Sequence, residues 1–324
     1  MNISDPLQKP QIITSFENKE RIIIQNPIKL KTKLKSIQSM GKEEFSLFSD
    51  FDFTLTAAKL NGLDADSSFS VLTKSDLISD KYKKEMHDLF QQFSPFENSC
   101  TISRKQKKQL MNIWWSKSQK CILEEGITAL KIRNSIRNSC LAFRNGIKEF
   151  LNYCSSNTIP LYIVSAGLGC IIKESFEMIG IHLNNKEEHN FKLVCTEEKY
   201  ENNGILYGFS KPMMTSQNKS KILKSIQGVN NRANACVIGD LISDLDMIKD
   251  LNFSHKFSIG YFNSNSKGND PFLLEDYVNS FDIVIMNEGS LNCITFILQK
   301  LFGYGPCSEN ISSSNRELIE MLFE

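Results

Sequence analysis

Four short apolar runs, each ending in small or acidic residues, constrain the fold of this chain more than any other feature. They are Phe45-Ser-Leu-Phe48 before Ser49-Asp50, Ile159-Pro-Leu-Tyr-Ile-Val164 before Ser165-Ala-Gly167, Ala235-Cys-Val-Ile238 before Gly239-Asp240, and Ile283-Val-Ile-Met286 before Asn287-Glu288. Each is short for a core helix and apolar on both faces, the pattern of a strand buried in a parallel sheet. Helical patterning fills the intervals: Ile28, Leu30, Leu34, Ile37 and Met40 before the first run, then stretches 144–156, 169–179 and 218–227. The expected fold is α/β, a doubly wound, mostly parallel, Rossmann-like sheet.

Two stretches depart from this alternation. Residues 57–140 are helical in pattern, with no convincing strand, and read as a helical cap inserted after the first strand. Residues 191–209 read as a small β-hairpin, with arms Phe191–Cys195 and Ile205–Phe209 around Asn202-Asn-Gly204. The expected organisation is a loose tail over 1–20, an α/β core from 21–56 and 141–303, the cap over 57–140, and a C-terminal tail over 304–324.

Composition narrows the partners. A chain of 324 residues with 41% hydrophobic and 23% charged residues can bury a full globular core. Its net charge of +1 gives no general field for nucleic acid or an anionic membrane. No apolar stretch approaches the roughly 20 residues that cross a bilayer, and Met1-Asn-Ile-Ser-Asp5 lacks the pattern of a secretory signal. The expectation is a soluble cytoplasmic monomer without nucleic-acid or membrane partners. The nine cysteines form no Cys-x-x-Cys pair, and four histidines give a zinc site little to build on. Reduced, buried thiols are the better reading.

In doubly wound sheets, ligands bind beyond the carboxyl ends of the strands. Here that edge collects Asp50, Asp52, Ser165 and Asp240. Asp50 and Asp52, two apart on an extended strand end, project to the same side and repel unless a cation or proton intervenes. Taken alone, Asp-Phe-Asp fits a turn with solvated acids. It also fits a magnesium site in which one carboxylate attacks phosphorus and the other moves protons. Asp240 and Asp244, about one turn apart, add two more carboxylates and favour a divalent cation. Stabilisation by a helix N-terminus is the alternative for Asp244. Ser165-Ala-Gly-Leu-Gly169 suits either a phosphate oxygen or an ordinary helix N-cap. Composition alone does not single out Lys219 among the lysines.

In this order, Asp50-Phe-Asp52-Phe-Thr54, Ser165, Lys219 and Gly239-Asp240-x-x-x-Asp244 resemble the four motifs of the haloacid dehalogenase superfamily. From about Arg21 to Phe302 the chain further resembles the cytosolic type III (pyrimidine) 5′-nucleotidase family. That resemblance rests on Ser49-Asp-Phe-Asp-Phe-Thr-Leu-Thr56, Ile159-Pro-Leu-Tyr-Ile-Val-Ser-Ala-Gly167, Asn218-Lys219, Gly239-Asp-Leu-Ile-Ser-Asp-Leu245, Ile259-Gly-Tyr261 and Tyr277-Val-Asn-Ser-Phe-Asp-Ile-Val284.

The resemblance implies magnesium-dependent hydrolysis of small-molecule nucleoside 5′-monophosphates, of pyrimidine or 7-methylguanosine type, through an aspartyl-phosphate on Asp50. It implies metal ligation by Asp50, Asp52 (through its backbone carbonyl), Asp240 and Asp244. Asp52 becomes the acid/base, Lys219 neutralises charge, and Ser165, Ala166, Gly167 and Lys219 hold phosphate. In the cap it implies substrate contacts from Glu97, Trp114, Trp115 and Ser118. The two tryptophans also fit a purely packing role beside Leu110, Met111, Ile122 and Leu123.

The chain departs from the family at Ile113, where a glutamate is expected, and at Gln119 and Phe69, where histidines are expected. Ser99 replaces an acidic residue. These departures bear on base preference. They leave two alternatives: a phosphatase of another small phosphomonoester, or a non-catalytic nucleotide-binding relative. Arg104-Lys-Gln-Lys-Lys108 reads as a solvated helix start rather than an RNA patch.

Overall fold

The computed structural model describes residues 21–97, 101–183, 190–263, 271–286, 288–303 and 311–324; the expected tail over 1–20 lies outside them. Its strands are β1 (Arg21–Ile24), β2 (Phe45–Ser49), β3 (Lys59–Leu60), β4 (Leu63–Asp64), β5 (Leu161–Leu168), β6 (Phe191–Thr196), β7 (Glu198–Tyr200), β8 (Leu206–Phe209), β9 (Asn234–Gly239), β10 (His255–Phe262) and β11 (Ile283–Met286). Its helices are α1 (Pro27–Met40), α2 (Ser70–Thr73), α3 (Asp80–Glu97), α4 (Arg104–Glu124), α5 (Ala129–Arg137), α6 (Ile147–Ser156), α7 (Gly169–Met178), α8 (Lys219–Lys224), α9 (Pro271–Ser280), α10 (Asn292–Phe302) and α11 (Ser313–Glu320).

Seven strands form one sheet in the order β1-β11-β10-β9-β2-β5-β6. Every pairing in it is parallel except that of β1 with β11. The expected doubly wound fold is present. Side chains alternate across the sheet, as the period of two requires. Leu47, Ile163, Cys236 and Ile259 face α1, α6 and α10. Phe48, Val164 and Val237 face the opposite way, against Leu223, Met247 and Leu251. Both faces are covered, which is why these strands read as continuous apolar runs. α1 starts where Pro27 occupies the first turn and Asn26 accepts a hydrogen bond from Lys29 N at 2.9 Å.

Four expectations need correction. Phe191–Thr196 does not form a hairpin arm but extends the main sheet, pairing in parallel with β5. The hairpin is β7 with β8. Alternating apolar residues suit either partner, and burial of Phe191 and Val194 on the sheet decides the matter. Second, β10 and β1 are sheet strands that the apolar runs did not mark. Third, the helical stretch after β2 also contains the two-residue strands β3 and β4. Fourth, the described part of the expected C-terminal tail is a helix, with Leu318, Ile319 and Leu322 buried in the main core. Ser312 caps it by accepting from Asn315 N at 3.3 Å.

The chain leaves the sheet after β2 and returns before α6 along paired linkers. Thr56 and Phe143 form an antiparallel bridge, and Ala57 N donates to Ala142 O at 2.9 Å. Arg144, 2% exposed, locks this crossing. Its guanidinium donates to Thr54 O at 2.8 Å, Phe53 O at 2.6 Å, Gly289 O at 3.1 Å and Asn263 Oδ1 at 2.6 Å. It also lies 3.8 Å from the Tyr261 ring centroid. The inserted helices carry their own apolar cluster of Val71, Leu72, Tyr82, Met86, Ile122 and Ile132, joined by Ile171 of α7 and Leu206 of β8. Leu206 N donates to Ile127 O at 3.0 Å, so the β7–β8 hairpin props the cap from the core side.

Candidate active site

The carboxyl ends of β2, β5 and β9 are neighbours in the sheet, and the loops leaving them converge. Asp50 follows β2 directly, its N–H still donating to Ile238 O of β9 at 2.9 Å. Asp240 follows β9. Asp244 lies in a 3₁₀ turn over Ile242–Ile248, where its carboxylate accepts from Leu241 N at 3.0 Å. A Cβ on Gly239 would stand 2.4 Å from the Asp244 Cβ, so only glycine lets that turn close.

Lys219, at the start of α8, joins the group. Its ammonium donates to Asp244 Oδ1 at 2.8 Å and to Asp50 Oδ1. All three of these groups are buried. Asp50, Asp240 and Asp244 each offer an oxygen within 4.8 Å of the others. Three carboxylates against one ammonium is an unbalanced arrangement for a buried site. Burial pushes the Asp50 carboxyl up to about 7, with Lys219 pulling down and Asp244 pushing further up. Burial, with Asp244 and Asp50, raises Asp240 well above the carboxylate range. Burial alone would lower the Lys219 ammonium, but Asp244 and Asp50 hold it firmly protonated.

Such a cluster either takes up protons or takes up a cation. An octahedral ion with oxygens at about 2.1 Å separates opposite ligands by about 4.2 Å, which this triad accommodates. The cluster is a site for a divalent cation. Two contacts steady Asp240 from the side: Thr54 Oγ1 donates to its Oδ1 at 3.3 Å, and the Tyr277 hydroxyl donates to its backbone carbonyl.

Asp52 stands apart from the carboxylate triad. Its side chain is held by Ser68, whose N–H donates to Oδ1 at 2.5 Å and whose hydroxyl donates to Oδ2 at 2.6 Å. Burial raises the Asp52 carboxyl against those hydrogen bonds, favouring the form that can donate a proton. Ser165 and Gly167 lie alongside. β5 runs on past Ser165 to Leu168 through an irregularity, and Gly167 N donates to Ser165 Oγ at 3.0 Å. A Cβ on Gly167 would fall 1.9 Å from Ser68 Oγ and 2.8 Å from Asp52 Oδ2. Ala166, between them, is half-buried.

Beside Ser68 opens a cavity of about 640 Å³. Glu97, Trp114 and Trp115 line it together with Phe69, Phe90 and Met86. The two indoles stack at 6.0 Å, and Phe69 meets Trp115 edge-on at 4.9 Å. Trp114 also packs with Phe93 and Met111, so it serves both packing and cavity. Burial raises the Glu97 carboxyl, opposed by the adjoining Ser216 hydroxyl and the charge of Lys219. Ser67 and Phe69 of the lining flank Ser68, which holds Asp52, so the cavity adjoins the carboxylate site. Ser118 is fully buried and is not among the cavity's lining residues; its hydroxyl and the Trp115 Nε1 lack hydrogen-bond partners among the described residues. Ile113 is 46% exposed, away from the lining, and Ser99 lies outside the described residues.

Ser68 and Arg144 were not anticipated from the sequence, and Thr54 and Tyr277 stood inside quoted motif stretches without a role of their own. Each acts through a contact distant along the chain.

A mostly parallel sheet with these carboxylates and a lysine at its carboxyl edge, beneath an inserted helical cap, defines a phosphohydrolase of the haloacid dehalogenase type. Residues 53–302 match the family model described as "Pyrimidine 5'-nucleotidase (UMPH-1)", and the chain belongs to that family. It is a 5′-nucleotidase, a phosphoric monoester hydrolase.

The 7-methylguanosine phosphate-specific 5′-nucleotidase A of Xenopus laevis is 30% identical over 286 residues, covering 87% of this chain and 96% of that protein. The Homo sapiens protein named 7-methylguanosine phosphate-specific 5′-nucleotidase is 26% identical, covering 89% and 94% respectively. The crystal structure of cytosolic 5′-nucleotidase IIIB bound to cytidine shares the fold at a TM-score of 0.69 and 22% identity, covering 95% of each chain. No helix among the described residues is long and apolar enough to cross a membrane.

Proposed function

We propose that this enzyme dephosphorylates nucleoside 5′-monophosphates with magnesium as its ion and Asp50 as its nucleophile, accepting 7-methylguanosine and pyrimidine nucleotides in the cytoplasm. The observation that carries the catalytic reading is the division of labour among the acids. Lys219, Asp240 and Asp244 gather around Asp50, while Ser68 holds Asp52 aside.

The substrate's phosphate sits between Asp50 and the Ser165–Gly167 segment, where the Ser165 hydroxyl and the backbone N–H groups of Ala166 and Gly167 hold its oxygens. An Asp50 carboxylate oxygen attacks phosphorus as the bond to the 5′ oxygen breaks. Asp52 delivers its proton to that leaving oxygen. It then takes a proton from a water that attacks the aspartyl-phosphate, releasing phosphate and restoring Asp50. Lys219 offsets charge on Asp50 and on the transferring group throughout. Asp50, the Asp52 carbonyl, Asp240 and Asp244 would hold a magnesium ion, which would supply positive charge against the phosphate oxygens. Residues 57–140 act as the cap that shields the site.

Ser68→Ala removes the hydroxyl that aims Asp52 but keeps the backbone donor. The expected result is a fall in kcat of about 10- to 100-fold with little change in KM. Steady-state phosphate release measures it; an unchanged kcat would remove Ser68 from the mechanism.

The lining of the cavity supports a preference for a 7-methylguanine base. Methylation at N7 gives guanine a positive charge, which suits the stacked tryptophans and the Glu97 carboxylate. The names of the Xenopus and human relatives point the same way. Trp115 lines the cavity, and its Nε1, without a hydrogen-bond partner among the described residues, remains for the nucleoside. The test is a panel of 7-methylguanosine, pyrimidine and purine 5′-monophosphates with sugar phosphates, assayed with magnesium. Release of phosphate from none of the nucleotides would end the reading. Glu97→Gln should lower kcat/KM for 7-methylguanosine monophosphate about 10- to 100-fold, and more than for cytidine monophosphate. Equal losses would deny Glu97 a role in reading charge.

A further inference from the structure

A second concavity, of about 400 Å³, lies where the start of α4 meets the segment around Lys219. Its lining is Lys105 and Lys108 from the cap side, with Gln217, Asn218, Ser220, Lys221, Lys249 and Asp250 from the core side. Lys249 is paired with Asp246 at 2.9 Å. Lys105, Lys108 and Lys221 form no ion pair among the described residues. Three lysines without an ion pair among the described residues thus line one groove whose only carboxylate in that lining is Asp250, in a chain whose overall charge is only +1. Like charges gathered this way repel, and a multivalent anion is the ligand that relieves them.

We propose that this groove binds an oligophosphate, a chain of two or more linked phosphates, bridging cap and core. Its size suits a small anion. Among the described residues no aromatic side chain lines it, so it offers none of the stacking platform that single-stranded nucleic acid needs. Linked phosphates carry several charges on one ligand, which matches lysines drawn from both α4 and α8 better than a single orthophosphate does. Occupancy ties α4, which also carries Trp114 and Trp115, to the segment that carries Lys219. The groove is therefore placed to couple the anion to cap position without touching the reacting atoms.

The test is calorimetric titration of inorganic tripolyphosphate into the full chain at about 0.15 M salt, where surface charge is strongly screened. Adenosine triphosphate and orthophosphate are run in parallel. One tripolyphosphate per chain is expected. Its affinity should fall at least about tenfold in Lys105→Ala/Lys108→Ala and, separately, in Lys221→Ala. These exposed substitutions should leave the melting temperature and the basal nucleotidase activity unchanged. Equal binding of adenosine triphosphate and tripolyphosphate supports a site for the phosphate chain alone; tighter binding of the nucleotide makes a nucleoside triphosphate its source. Absence of binding to the wild-type chain overturns the proposal. So does equal affinity in both variants, which would place the anion at the catalytic site, and so does orthophosphate binding as tightly as tripolyphosphate.

Discussion

Asp50→Asn is expected to lower turnover by about 10⁴-fold or more while leaving the protein at least as stable as the wild type without metal. The two effects separate a nucleophile from a structural acid. An amide has almost the same shape as a carboxylate, and the backbone bond from Asp50 N to Ile238 O is untouched. It cannot form the covalent phosphate. Stability moves the other way because the site holds more acid than Lys219 can balance. Burial has already pushed Asp50 up to about 7, so near neutral pH its charge is held at a cost. Replacing it removes that cost, and Lys219 keeps Asp244 at 2.8 Å. Phosphate release from the preferred nucleotide and a thermal melt of the metal-free protein are the two measurements. Activity above about one-hundredth of wild type would rule Asp50 out as nucleophile. A large drop in melting temperature would show that its charge supports the fold instead.

The parts of this site legible in the sequence share one property: each lies at the end of a short buried strand. Asp50 and Asp240 are two residues beyond apolar runs whose length and composition force them into a parallel sheet, and the sheet then brings those ends together. Chain order and residue type suffice there. Asp244 follows because it is a turn away from Asp240. Lys219 needed the family resemblance, since nothing local separates it from other lysines; its partners are 169 and 25 residues away. Ser68 is 16 residues past Asp52, in a polar stretch without periodicity, and Arg144 is 90 residues from the Thr54 carbonyl it binds. Their roles come from how the linkers cross.

The misplaced hairpin arm has the same origin. Phe191–Thr196 has the composition of a strand, but only the long-range competition between β5 and β8 decides its partner. The C-terminal helix is different, because a local signal was present. Ser312 followed by Leu318, Ile319 and Leu322 is a cap and an apolar face. A run of serines obscured it.

Lys219→Met should destabilise the metal-free protein by about 3–5 kcal/mol, the usual cost of removing one partner from a buried ion pair. It should also abolish most activity, by about 10³-fold or more. Methionine fills similar space, so the loss reports charge rather than a cavity. Asp50 and Asp244 would then face each other and Asp240 without a cation. The sign of the pH dependence follows. Carboxylates whose folded pKa lies above the unfolded value are stabilised as protons bind, and that stability is lost as pH rises. The deficit should therefore grow from pH 5 to about 8 and shrink on acidification. Magnesium should reduce it at the higher pH by supplying the missing charge, although it cannot restore turnover. Lys219→Arg sharpens the distinction. It keeps the charge, but its planar fork cannot copy an ammonium wedged between two carboxylates, so stability should recover more than activity. Urea unfolding of all three proteins, with and without magnesium at both pH values, measures each part. If Lys219→Met unfolded at the wild-type midpoint without metal, Lys219 would not be the charge that holds this acidic site together.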